Sequence, residues 1–183
     1  MFSIRDYRRS GYPDKYSPYM RMSEGVEWAA HCAVVLAALP DGAVLPAARL
    51  AEYHGVPGPY LAKSLQALAR AGIVEATTGR RGGYRLRRPP SEVTLLDVVG
   101  AVEGDRPMFV CTEIRQRGPV RVPARSYPAK CGIAASMARA EDAWRDQLAT
   151  TTVADLLVGV VEQAPPAVLA GTAVWLQSAL DRT

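Results

Sequence analysis

The chain is poor in the residues on which disulfide-built and hydrolytic proteins depend: 183 residues hold three cysteines and two histidines. So few cysteines, odd in number, exclude a secreted disulfide scaffold. Nothing at the start reads as a signal peptide, so a reducing cytoplasm is the expected compartment. A thiol hydrolase built on Cys32 or Cys111 with a histidine base lacks the Gly-rich oxyanion turn that such chemistry needs beside its nucleophile, and no enzyme is expected. Long apolar runs are missing too. The stretch VVEQAPPAVLAGTAVWL is interrupted by Glu162, Gln163, Pro165 and Pro166, short of the ~18 uninterrupted apolar residues of a membrane helix, and no membrane partner is expected.

What is present is an ordinary globular composition, 49% hydrophobic and 22% charged, with a net charge of +4. Such a composition buries a core and argues against wholesale disorder. The positive excess is local. Between Tyr60 and Arg88 stand Lys63, Arg70, Arg80, Arg81, Arg85, Arg87 and Arg88 against the single acid Glu75, which points to an anionic partner for that segment.

Residues 1–22 show neither helical nor strand period and read as an N-terminal arm. From Ser23, an N-cap candidate, apolar residues recur at helical spacing as far as Pro40. Pro46 opens a short helix closed by Gly55, and Val56-Pro57-Gly58-Pro59 opens a second closed by Gly72, which together make a helix-turn-helix. IVEATTGRRGGYRLRR then reads as two strands around a Gly- and Arg-rich turn, the shape of a wing. The expected fold is therefore mainly α with a small β wing: a winged helix-turn-helix over 23–90. A linking helix and loop follow over 91–130, then a long helix over 131–162 and a last helix within 163–183. A helix of some thirty residues needs a surface to pack on, and a second copy of itself in a homodimer is the economical answer.

A recognition helix reads base edges from its N-terminal turns in the major groove of double-stranded DNA. Pro59, Tyr60, Lys63, Ser64 and Gln66 are the candidates there. Arg80 and Arg81 sit at the tip of the wing and Tyr84 follows on its return strand, where they would meet the DNA backbone or minor groove.

The run AARLAEYHGVPGPYLAKSLQALARAGIVEATTGRRGGYRLRRPPSEVTLLDVVGAVEG, with its GGY wing, resembles the Isc-operon regulator and nitric-oxide-sensor (IscR/NsrR) family of winged-helix repressors. The likeness extends from about Ser23 to Gly159. It implies a dimer that binds an operator and carries an iron-sulfur cluster beside its dimerisation helix. The family's usual loop of three close cysteines is absent. SEGVEWAAHC, FVCTEIRQRGP and the CGIA start of the long helix are instead similar to a redox-sensing member. That member's 2Fe-2S cluster is bound by a Glu and a His of one chain and two Cys of the other. Carried over motif by motif, the ligands are Glu27, His31, Cys111 and Cys131. Glu27 and His31 stand four apart on one helix face, so one iron could take both, and substituting thiolates by weaker donors raises the potential. Trp28, beside Glu27, is a candidate relay to the helix-turn-helix or simply a core residue. Cys32 reads as core and His54 as a structural or solvent-facing helix end. The alternative is the same regulator without a cluster, responding through its thiols, zinc or a small ligand.

Overall fold

The computed structural model describes residues 22–79, 81–119 and 131–181. Residues 1–21, read above as an arm, Arg80, residues 120–130 and residues 182–183 lie outside the described residues. Seven α-helices and one two-stranded sheet are formed among the described residues.

Helix α1 (Glu24–Ala37) is the hub. Its Val26, Ala29, Cys32, Ala33, Val35 and Leu36 are buried, and it packs against the recognition helix, the wing and two later helices. Burial pushes the Cys32 thiol up to about 12, so Cys32 behaves as the small hydrophobe expected of it. Helix α2 (Ala47–His54) ends on Gly55 in the left-handed region, φ 64°, a conformation that a residue with a Cβ adopts at a cost. Helix α3 (Gly58–Arg70) begins with Pro59 in its first turn, where a missing N–H costs nothing.

Strands β1 (Val74–Thr77) and β2 (Gly83–Leu86) pair antiparallel, Val74 opposite Leu86 and Thr77 opposite Gly83. The wing is tied to the helices at Leu45, whose N–H donates to the Tyr84 carbonyl at 3.0 Å and whose carbonyl accepts from the Tyr84 N–H at 2.9 Å. That approach leaves no room at Gly83: an added Cβ would lie 2.7 Å from the Leu45 carbonyl carbon and 2.9 Å from the Pro46 nitrogen. Gly83→Ala is accordingly expected to cost about 1–3 kcal/mol, read as a lower urea midpoint with an unchanged m-value.

Helix α4 (Leu95–Glu103) opens on a capping box in which Thr94 accepts from the Asp97 N–H and Asp97 accepts from the Thr94 N–H. The expected single helix over 131–162 is corrected here: it is two helices, α5 (Gly132–Ala149) and α6 (Val153–Gln163). The break falls on Thr150, Thr151 and Thr152. β-Branched residues are weak helix formers, and Thr152 with Asp155 makes a second capping box that starts a new helix. The freed backbone groups are satisfied across the fold, Leu95 N–H donating to the Thr151 carbonyl and Val153 N–H to the Val93 carbonyl, both at 2.8 Å. Thus α6 turns back onto α1, its Val153 fully buried, while α5 runs out along α4 with no buried residue of its own.

Helix α7 (Pro166–Asp181) folds back to the helix-turn-helix. Trp175 lies 4.9 Å from the Tyr53 ring, and Thr172 Oγ1 and Tyr53 Oη share a hydrogen bond of 3.1 Å. No helix of the described residues is long and apolar enough to cross a membrane.

Candidate DNA-reading face and cysteine site

The first turns of α3 stand clear of the body. Pro59, Tyr60, Lys63 and Gln66 are exposed, Tyr60 at 58%. The Lys63 ammonium lies 5.4 Å from the centre of the Tyr60 ring, so the two side chains form one cationic and aromatic patch. Ser64 departs from expectation. It is buried, 5% exposed, on the face of α3 that carries Leu61, Leu65 and Leu68, and α1 crosses so closely that a Cβ on Gly25 would lie 3.3 Å from Ser64 Oγ.

On the wing, Arg81 is exposed, whereas Tyr84 is half-buried against the core and its backbone is tied to Leu45. Period-two alternation turns the Tyr84 ring toward the core. Arg85 pairs with Glu75 across the ladder and Arg88 with Asp97 at 3.3 Å. Lys63, Arg70, Arg81 and Arg87 are the exposed cations of the segment among the described residues.

Glu27 and His31 are both exposed, one turn apart on α1. Trp28 between them is half-buried and meets the Tyr60 ring edge-on, 6.4 Å between centroids. His31 is also 5.7 Å from the ring of His54. His54 is half-buried at the end of α2, and its Nε2 is buried without a hydrogen-bond partner among the described residues. Burial, and then the charge of His31, hold its pKa below the usual histidine value.

The two distant cysteines come together. Cys131 stands at the N-cap position of α5 without a side-chain capping hydrogen bond, and the nearby backbone N–H groups of Ala134 and Ile133 favour its thiolate. The Arg115 guanidinium and the neighbouring Cys111 add to this, and the pKa falls below the ordinary thiol value despite burial. At Cys111 the Glu113 N–H also favours the thiolate. Burial, the bond its thiol makes to the Glu113 carboxylate, and the negative charges of Glu113 and Cys131 outweigh it and hold the pKa up. The pair is thus divided, one sulfur inclined to ionise and the other to keep its proton.

Glu113 is the one non-glycine residue with positive φ among the described residues, at φ 50° and ψ 48°. That conformation is uncommon for a residue with a side chain, and it lets Glu113 reach two neighbours. Its Oε1 accepts from the Cys111 thiol at 3.5 Å, and both its oxygens accept from Arg115, at 2.7 to 3.1 Å. The sequence reading missed this clasp. Its signal was the charge alternation of TEIR, which acquires meaning only once Glu113 turns left-handed.

The residues therefore assemble as two half-sites. Two thiols, one biased toward thiolate, suit one iron of a 2Fe-2S cluster, and an exposed carboxylate and imidazole on one helix face suit the other. Within one chain no group of three or more His, Cys, Asp or Glu among the described residues converges on a metal position.

Comparison with known proteins bears on what these parts belong to. A family model described as Rrf2, iron-dependent transcriptional regulator, matches residues 22–159. Protein aau3 of Rhizobium meliloti is 40% identical over 108 residues, 59% of this chain and 66% of its own length. YwgB of Bacillus subtilis, named as a putative HTH-type transcriptional regulator, is 31% identical over 125 residues, 68% of this chain and 76% of its own. The chain thus spans about two thirds to three quarters of these relatives. Among solved structures, CymR, the global cysteine regulator of B. subtilis, superposes with a TM-score of 0.58 at 22% identity, over 76% of this chain and 98% of CymR. IscR of T. potens superposes at 0.57 and 20% identity, over 80% of this chain and 93% of IscR. These two likenesses carry the winged-helix fold. The family match, running from the start of α1 through the wing and both cysteines into α6, shows that this chain belongs to the Rrf2 family of transcriptional regulators.

Proposed function

We propose that the chain is an RsrR-like, homodimeric, sequence-specific DNA-binding regulator, a repressor in at least one state, whose operator affinity follows the redox state of a 2Fe-2S cluster. The ligands in this reading are Glu27 and His31 of one protomer and Cys111 and Cys131 of the other. Such a cluster supplies a one-electron change of charge where two protomers meet. The observation that carries the reading is the convergence of Cys111 and Cys131 from the two ends of their loop into one pair whose thiolate is prepared by the α5 N-terminus. Two half-sites that do not meet within one chain fit a site completed by a second copy.

The dimer reading rests on α5. An 18-residue helix without a buried residue, exposing Ile133 at 67% and Met137 at 43%, gains most by packing on its own symmetry mate. Glu27 and His31 then hold the cluster through a helix that also carries Trp28. The Trp28 contact with Tyr60 joins that helix to the DNA-reading patch, so a rotation of the indole would move Tyr60 and Lys63 together. Each tenfold change in operator affinity requires about 1.4 kcal/mol of coupling.

Protein purified without oxygen should contain iron and sulfide in equal amounts, about two of each per site, and absorb in the visible. Binding to a DNA site selected from a random pool should differ at least tenfold between the air-oxidised and dithionite-reduced forms. Colourless, iron-free protein after anaerobic reconstitution overturns the cluster, and equal affinities overturn the switch.

A further inference from the structure

A cavity of about 300 Å³ opens between α4 and α5, apart from the DNA-reading face and from the cysteine pair. Its apolar wall is Leu96 and Val99 of α4, Trp144 of α5 and Met108 of the segment between the two helices. Gly100 also lines it, in the interior of α4, where glycine is a poor helix former. Its φ is not positive, and an added Cβ would meet no atom of the described residues within 4 Å. Neither a turn nor a close approach within the chain requires glycine there, and its effect is to keep the cavity open along the apolar wall. Four charged side chains complete the lining, Glu103, Glu141, Arg106 and Arg145. One oxygen of Glu103 accepts from the Ser23 N–H at 2.8 Å, and one of Glu141 from the Met108 N–H at 3.1 Å, which fixes both carboxylates in place. Arg145 reaches Asp105, 89% exposed, at 3.5 Å, and an ion pair so exposed holds its partners weakly. The lining therefore offers both signs of charge beside one apolar surface.

We propose that this cavity is a binding site for a small zwitterion with an apolar side chain, the chemistry of a free hydrophobic amino acid. A simple anion there would lie beside Glu103 and Glu141, and a simple cation beside Arg106 and Arg145, each at a Coulomb cost that grows as water is displaced. A molecule that carries a carboxylate and an ammonium on one carbon answers both pairs at once with charge-assisted hydrogen bonds. Its side chain then packs over Gly100 against Leu96, Val99 and Trp144. The volume stands at the small end of ligand pockets, which suits a molecule of that size. The site shares no residue with the candidate cluster ligands, so it stands or falls apart from the cluster reading. It adjoins α4, on which α1 and the recognition helix α3 both pack.

The experiment is isothermal titration calorimetry of the whole chain with L-leucine and L-phenylalanine. Each is compared with the analogue that lacks its amine (4-methylpentanoate, 3-phenylpropanoate) and the one that lacks its carboxylate (3-methylbutylamine, 2-phenylethylamine). At least one of the amino acids should bind saturably with a Kd of about 1 mM or below, and its analogues about tenfold more weakly. Glu141→Gln keeps an acceptor for the Met108 N–H but loses the charge. It should weaken the amino acid about tenfold and leave the amine-free acid bound no less tightly, a split that a purely structural role does not produce. Arg145→Gln should weaken the amino acid and leave the carboxylate-free amine unaffected. Gly100→Leu fills the cavity and should abolish binding, with no loss of melting temperature by circular dichroism, because leucine is the better helix former. Saturable binding of neither amino acid overturns the proposal. So does an analogue that binds as tightly as its amino acid, since the paired charges then take no part, and so does undiminished binding in a folded Gly100→Leu chain. If Gly100→Leu does not fold, the two charge variants decide by the same split. Binding that appears only in a chain begun at Met22 gives the cavity to residues 1–21, binding that fades as the protein is concentrated gives it to a second copy, and either result overturns the amino-acid site.

Discussion

A chain carrying Cys111→Ala and Cys131→Ala and a chain carrying Glu27→Ala and His31→Ala should each purify colourless, yet a heterodimer of the two should regain iron and sulfide at one site where the wild type has two. The reason is the division of the ligands. In the mixed dimer the carboxylate and imidazole of the first chain meet the intact thiol pair of the second, while the opposite site lacks all four groups. Heterodimers isolated through two different tags, with iron and sulfide assayed per dimer, make the measurement. An iron-free heterodimer would mean that all four ligands come from one chain. Glu27 and His31 are exposed, so their removal should leave the fold intact. Cys131 is buried at a helix terminus, and a circular-dichroism melt of its variant is the control for loss of fold.

Replacing Lys63 and Arg81 together by Ala should weaken operator binding by at least tenfold at moderate salt and flatten its salt dependence. Removing one phosphate-neutralising cation reduces the slope of log K against log salt by about 0.9, so the change in slope counts the cations that reach phosphate. Gln66→Ala should act differently, narrowing the preference for operator over unrelated DNA by about 1–3 kcal/mol if its amide reads a base edge. Ser64→Ala should leave that preference unchanged, because its hydroxyl faces α1. Affinity and slope that survive the double replacement would remove the wing and the recognition helix from the DNA interface.

Much of the scaffold was legible because it is written in residues whose local chemistry leaves few choices. Gly55 ends α2, Pro59 starts α3, and the Gly82-Gly83 pair marks a hairpin, so helix-turn-helix and wing could be read in order. Where the reading failed, a local signal was outweighed by a distant one. Thirty residues without proline suggested one helix, but Thr152 found a better use capping α6, because the backbone of Val93 and Leu95 was there to take the freed hydrogen bonds. Ser64 and Tyr84 were nominated for DNA from their places on the helix and the wing, and packing sets the one against α1 and the other partly on the core.

The candidate site divides along the same line. The candidate ligands were nominated by motif, and that Glu27 and His31 share one helical face follows from the 3.6-residue period alone. Which groups press on those candidate residues was not legible. The contact of Trp28 with Tyr60 and the approach of the His31 ring to His54 each join residues whose separation in the chain carries no instruction to meet. By itself the sequence determined the order of helices and strands and the kinds of donor available, because caps, turns and periodicity act over a few residues. Only the tertiary structure decided which side chains face outward and which charges stand beside the sulfurs, because burial and Coulomb forces depend on distance in space.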